Sequence, residues 1–168
     1  HPARFHLYPP AATRNAALVK VHRAVASQDL SVVMLARLRD EVAMLNELAR
    51  AAALRDGRLR GPALTVAERE YQAGDPIICL SNDRRRDIAN GTRGVVTAVD
   101  IENATLSVRR SDGRALVIDT SRYDAIDRGY ALTVHKAQGL TADVALVVGS
   151  DGATREWAYT AMSRATAA

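Results

Sequence analysis

The chain has 168 residues, room for one compact domain with a small inserted subdomain. Its 48% hydrophobic and 25% charged residues are those of an ordinary folded chain, not a disordered one. Apolar runs such as Val144 to Val148 fall far short of the roughly 20 residues of a membrane span, and no leader sequence opens the chain. A cytoplasmic protein without a membrane partner is therefore expected. The net charge of +4 permits a polyanionic partner without establishing one.

In chain order, His1 to Pro10 is irregular, stopped by Pro9-Pro10. Thr13 to Ser27 reads as a helix with Ala17, Leu18, Val21 and Val25 on its apolar side. Leu30 to Leu35 is a continuous apolar run, the pattern of a strand covered on both faces in a parallel sheet. A second helix follows, with Asp40 as its expected cap, Val42, Leu45, Leu48, Ala49 and Ala52 inward, and Gly57 at its end. From Gly74 to about Ala125 the chain turns β-rich. Pro76–Leu80, Gly94–Val99, Thr105–Arg109 and Arg114–Ile118 read as strands, and Asn90-Gly91 and Asp112-Gly113 as tight turns. Such closely spaced antiparallel strands suggest a small barrel or curled sheet. The single cysteine, Cys79, lies in this apolar β region and reads as a core residue. Strands at Tyr130–Val134 and Asp143–Val148 then restore the α/β character. A last helix after Thr154 is expected to turn Trp157, Ala158, Ala161, Met162 and Ala165 inward. The fold class is α/β with a parallel sheet: residues 1–73 and 126–168 form one domain, interrupted by a β-rich insert at 74–125.

Two chemical searches have opposite outcomes. A phosphate-binding loop needs a glycine frame around a lysine; the only lysines, Lys20 and Lys136, lack it. No apolar strand ends in an Asp-Glu pair to hold Mg²⁺, and no metal-ligand spacing occurs, so no metal site is assigned. By contrast, Tyr130–Thr141 places Thr133, His135, Lys136 and Gln138, closed by Gly139, at the carboxyl end of a strand. In an α/β sheet that position suits a phosphate or nucleotide contact; a solvated loop is the equal alternative. Arg164, late in the last helix, reads alone as a solvated or capping residue, or as a cation delivered to a neighbouring phosphoryl group. Arg84-Arg85-Arg86 reads as a solvated face or as phosphate contacts. Aromatics, at 4% of residues, are too few for a base-stacking platform.

Taken together, Thr133-Val134-His135-Lys136-Ala137-Gln138-Gly139 and Tyr159-Thr160-Ala161-Met162-Ser163-Arg164-Ala165 resemble motifs V and VI of superfamily 1 helicases. Gly74-Asp75, Asn82-Asp83, Asn90-Gly91 and Gly94 resemble the RecD-type branch, and Ser31–Arg50 its earlier strand and helix. The whole chain is most similar to the helicase part of TrwC/TraI-type conjugative relaxases. The resemblance implies the second RecA-like motor domain of a superfamily 1B helicase, with a Src-homology-3-like β-barrel as its insert. It implies single-strand contacts from Thr133, His135 and Lys136, nucleotide contacts from Gln138 and Gly139, and an arginine finger at Arg164 that also faces the nucleotide. DNA contacts at Arg84, Arg85 and Arg86 are the further expectation for the insert.

The partners implied are single-stranded DNA and a P-loop-bearing motor domain of the same parent, with ATP and Mg²⁺ bound by the full-length protein and 5′→3′ travel. Where many relatives carry Glu, this chain has Thr141, which puts a ribose contact there in doubt. His1 and Ala168 are expected to be cut points in a longer parent. The fragment alone is expected to bind no ATP tightly and to hydrolyse none. Two other readings stand beside this one: a non-catalytic docking module for nucleic acid or protein, and a RecD-like subunit of a recombination exonuclease.

Overall fold

The computed structural model describes residues 11–28, 30–138, 140 and 142–148. In chain order the elements are α1 (Ala11–Ala26), β1 (Val32–Ala36), α2 (Arg39–Arg55), β2 (Arg60–Val66), β3 (Arg69–Ala73), β4 (Pro76–Cys79), β5 (Arg93–Asp100), β6 (Thr105–Arg110), β7 (Ala115–Asp119), β8 (Ile126–Arg128), β9 (Ala131–Thr133) and β10 (Val144–Val147), with a 3-10 turn at Arg84–Arg86. They fall into two compact units, His1–Ala49 with Leu132–Ala168, and Arg50–Ala131. The expected helix after Thr154 lies outside the described residues. Among the described residues no helix is long and apolar enough to cross a membrane.

The first unit is built on a three-stranded sheet in the order β10-β1-β9. β1 runs parallel to β10, Val32 opposite Val144 through Leu35 opposite Val147. As the middle strand, β1 is closed in on both faces: Val33, Met34, Leu35 and Ala36 are buried. A polar clip sets the register where the two strands begin. The Asp143 carboxylate accepts from the Ser31 backbone N–H at 2.8 Å and from its hydroxyl at 2.6 Å. The Asp143 N–H returns a bond to Ser31 Oγ at 2.9 Å. These donors hold the Asp143 carboxyl below its ordinary pKa.

The helices keep part of their expected faces and also bury polar residues that were not expected inward. On α1 the buried stripe is Asn15, Val19 and His22, while Val21 is exposed. The polar groups on or beside this stripe are met by α2: Asn15 Nδ2 contacts Met44 Sδ at 3.1 Å, and Arg14 pairs with Glu41 at 3.2 Å. Of the expected apolar side, Ala17, Leu18 and Val25 are half-buried and Val21 is the departure. On α2 the buried positions are Leu45, Asn46, Ala49, Arg50, Ala52 and Ala53, and Leu48 is exposed. Asp40 does not cap this helix. Val42 N–H donates to the Leu38 carbonyl, and the Leu38 N–H is received by Glu41 Oε2 at 3.3 Å, so Leu38 is the cap and Glu41 reaches back to it. Gly57, at φ +65°, ends α2 as expected.

The second unit holds a hairpin, β2-β3, and a five-stranded antiparallel sheet in the order β7-β6-β5-β4-β8. Both contribute to one apolar core, with Val66 and Tyr71 from the hairpin meeting Ile77, Val96, Leu106, Val108, Ile118 and Ile126. Cys79 lies in that core, as expected, and burial pushes its thiol up. Alternation in β5, β6 and β7 sends Val96, Leu106, Val108, Leu116 and Ile118 inward and leaves Val95 and Val117 exposed. The hairpin was not legible in the sequence. Its turn is made by Ala67 and Glu68, both at positive φ (46° and 68°), where Asn or Gly is the usual signal.

Candidate nucleic-acid interface

The segment expected to touch the strand begins where β9 ends. Ala131, Leu132 and Val134 are buried and anchor it. The chain then closes a single helical turn. The Thr133 carbonyl accepts from the Ala137 N–H at 3.0 Å, and the Thr133 hydroxyl accepts from the Lys136 N–H at 3.3 Å. Thr133 thus caps the turn with its own side chain. Gln138 N–H donates to the His135 carbonyl at 3.2 Å, and Leu140 N–H to the Ala137 carbonyl at 3.0 Å. Ala137 points inward, while His135, Lys136 and Gln138 are exposed. The outcome is a solvent-facing set of imidazole, ammonium and amide. Such donors can meet a phosphodiester backbone with no nearby carboxylate pairing Lys136 among the described residues. Gly139, Thr141 and Arg164 lie outside the described residues.

The Arg84–Arg86 stretch forms the 3-10 turn, capped by Asp83, whose side chain accepts from the Arg85 N–H at 3.1 Å. Its three guanidiniums are not equivalent. Arg86 is ion-paired with Asp83, which holds that carboxyl below its ordinary value. Arg84 and Arg85 are exposed. Beside them, Asp87 pairs at 3.2 Å with both Arg110 and Arg114, the two arginines that also hold Asp112. The β-rich surface is therefore a mixed-charge network, with Arg84 and Arg85 among its outward cations.

The glycines and polar pairs of the RecD-like pattern have structural work. Gly74 sits at φ +104°, and a Cβ there would lie 2.5 Å from the Arg58 carbonyl. A Cβ on Gly94 would lie 2.5 Å from both the Arg109 carbonyl and Val108 Cγ1. Asn82 Oδ1 accepts from the Asn90 N–H at 2.7 Å, and Gly91, at φ +88°, donates to the Cys79 carbonyl at 2.8 Å, closing the loop between β4 and β5. Asp75 is fully buried. It accepts from the Tyr130 hydroxyl at 2.8 Å, from Arg50 Nε at 3.2 Å and from the Gln72 N–H at 2.8 Å. Sequence reasoning noted Gly74-Asp75 and Tyr130 but did not join them, nor Arg50, into a cluster. The available signal was an acidic residue directly after a turn glycine and before an apolar strand. Among the described residues no group of three or more His, Cys, Asp or Glu is placed to hold a metal.

Comparison with known proteins fits this arrangement. Residues 128–168 match the UvrD-like helicase C-terminal domain. The chain is 36% identical over 141 residues to the conjugal transfer protein TraA of Rhizobium radiobacter, covering 82% of this chain and 13% of that protein. It is 36% identical over 104 residues to the ATP-dependent RecD2 DNA helicase of Deinococcus radiodurans, covering 60% of this chain and 14% of that protein. The Pif1 helicase from Bacteroides, solved with ADP-AlF3 and single-stranded DNA, superposes over 96% of this chain and 48% of its own, at a TM-score of 0.59 and 17% identity. That likeness supports the mixed α/β fold with its parallel sheet. The chain is a C-terminal helicase domain of the RecD/Pif1 type. Its relatives include conjugative-transfer proteins, of which it spans only a small part of the length.

Proposed function

We propose that the chain is the second RecA-like motor domain of an ATP-driven DNA helicase that moves 5′→3′ along a single strand, within a conjugative relaxase. The observation that carries this reading is the Thr133-capped turn. It presents His135, Lys136 and Gln138 to solvent inside a region that includes the helicase-family match. In this reading Thr133, His135 and Lys136 hold the strand backbone, Gln138 and Gly139 face the nucleotide, and Arg164 stabilises charge on the γ-phosphate during transfer. ATP and Mg²⁺ are bound in the parent protein with a P-loop domain outside this sequence. The strands β4 to β7 fall within the β insert expected at 74–125, which is proposed to be of the Src-homology-3 type, with Arg84 and Arg85 as auxiliary phosphate contacts; the hairpin β2-β3 precedes it.

The test is hydrolysis. The isolated chain should show no DNA-stimulated ATP turnover. In the parent protein, Arg164→Ala should slow turnover by about 10³-fold or more while nucleotide still binds. Robust turnover by the isolated chain, or a parent indifferent to Arg164→Ala, contradicts the assignment.

A further inference from the structure

The second unit contains a buried polar cluster that no strand or nucleotide contact accounts for. Asp75 is 0% exposed, Tyr130 4% and Arg50 6%. Both oxygens of the Asp75 carboxylate are engaged. Oδ1 receives the Tyr130 hydroxyl at 2.8 Å; Oδ2 receives Arg50 Nε at 3.2 Å and the Gln72 N–H at 2.8 Å. Arg50 spends its remaining nitrogens on Gln72 Oε1 at 3.1 Å and Glu70 at 3.5 Å. The backbone before the carboxylate is closely surrounded: a Cβ on the preceding Gly74 would lie 2.5 Å from the Arg58 carbonyl.

The chain arriving at Tyr130 is held as well. The Gly129 N–H donates to the Pro76 carbonyl at 2.8 Å, and a Cβ on Gly129 would stand 3.3 Å from the Ile77 backbone. Tyr130 is therefore fixed at both its backbone approach and its hydroxyl, and β9 starts at the next residue. Thr133, which caps the exposed turn, follows three residues later.

Burying an ion pair is costly, and apolar residues of similar size fill such space at least as stably. What the pair adds over an apolar plug is direction: the Tyr130 hydroxyl is bonded to one oxygen of a carboxylate whose other oxygen is held by Arg50 and Gln72. We propose that Arg50, Asp75 and Tyr130 are positioning residues that fix the origin of β9 and thereby hold the Thr133–Gln138 turn in its strand-binding conformation. This inference rests on the proposed function of that turn.

The experiment compares the full 168-residue chain with its Tyr130→Phe variant, which keeps the ring and removes the hydroxyl. Amide hydrogen exchange is followed at Lys136 and Ala137, whose N–H groups close the turn on Thr133. Exchange there should rise about tenfold or more, as for a loosened local opening, while protection across β6 and β7 is retained. Affinity for a labelled oligothymidylate should fall about threefold or more, and Lys136→Ala added to Tyr130→Phe should cost less than it does alone, because the two act on one unit. If Tyr130→Phe does not fold, Asp75→Asn, which keeps the shape and one acceptor, takes the same measurements and the same expectations.

Unchanged exchange at Lys136 and Ala137 in a folded variant overturns the positioning role, and so does a uniform loss of protection that includes β6 and β7. If Lys136→Ala leaves strand affinity intact, it is the strand-contact reading that falls. The exchange result then still decides whether Tyr130 orders the turn.

Discussion

Thr133 has two demands on one hydroxyl. Resemblance assigns it to the strand backbone, yet in the structure its oxygen accepts from the Lys136 N–H. A hydroxyl can accept there and still donate its proton outward, so the two roles are compatible. The cap should nevertheless dominate. Thr133→Val keeps the shape and loses the acceptor, which costs the turn about 1 kcal/mol, the usual worth of such a cap. Thr133→Ser retains it. Fluorescence anisotropy with a labelled single strand should show weaker binding for the valine variant and near-native binding for serine. Weaker binding for serine with near-native binding for valine would assign the methyl group, not the hydroxyl, as the contributor.

At the scale of elements, some features were legible and some were not, for identifiable reasons. β1 was legible because a central parallel strand is buried on both faces and must be apolar throughout. The strands β4 to β7 were legible from alternation and from Asn90-Gly91 and Asp112-Gly113, since Gly91 and Gly113 do take positive φ. The hairpin β2-β3 was not, because Ala67 and Glu68 adopt positive φ without the residues that advertise it. The helix faces were legible only in part, because polar residues are also held inside by partners distant in sequence: Asn15 by Met44, Arg50 by Asp75. Periodicity of apolar residues cannot see such pairs. The candidate contact segment was legible in its residue types and spacing. The cap that shapes it joins residues only three apart, whereas the Asp75 cluster joins Arg50, Asp75 and Tyr130 from distant points of the chain.

For the whole molecule, the ionisable groups set an expected pH profile of stability. Asp83, Asp100, Asp112, Asp119 and Asp143 all lie below their ordinary value of 3.8, held by nearby donors. A carboxyl with a lowered folded pKa stabilises the fold above its unfolded value, and that contribution is lost as pH falls through the folded one. Stability should therefore decline below about pH 4, each exposed group contributing modestly. At the other end, burial raises Tyr71 from 10.0 to about 12, and Tyr130 is raised further by burial and by Asp75. A raised pKa stabilises fully below the unfolded value and ceases to do so as pH rises through the folded one. Denaturant unfolding should show an alkaline loss beginning near pH 10. A flat profile from pH 8 to 12 would contradict the buried placement of these phenols.

The central claim is that the Thr133–Gln138 turn, and not the arginines of the β-rich unit, is the principal contact with a single strand. Titration of a labelled oligothymidylate into the chain at two salt concentrations tests it directly. Binding should weaken as salt rises, Lys136→Ala should reduce both the affinity and the salt slope, and the Arg84→Ala/Arg85→Ala pair should have the smaller effect. Binding that survives Lys136→Ala and fails on removing Arg84 and Arg85 would contradict the account and make the β-rich unit a docking surface instead.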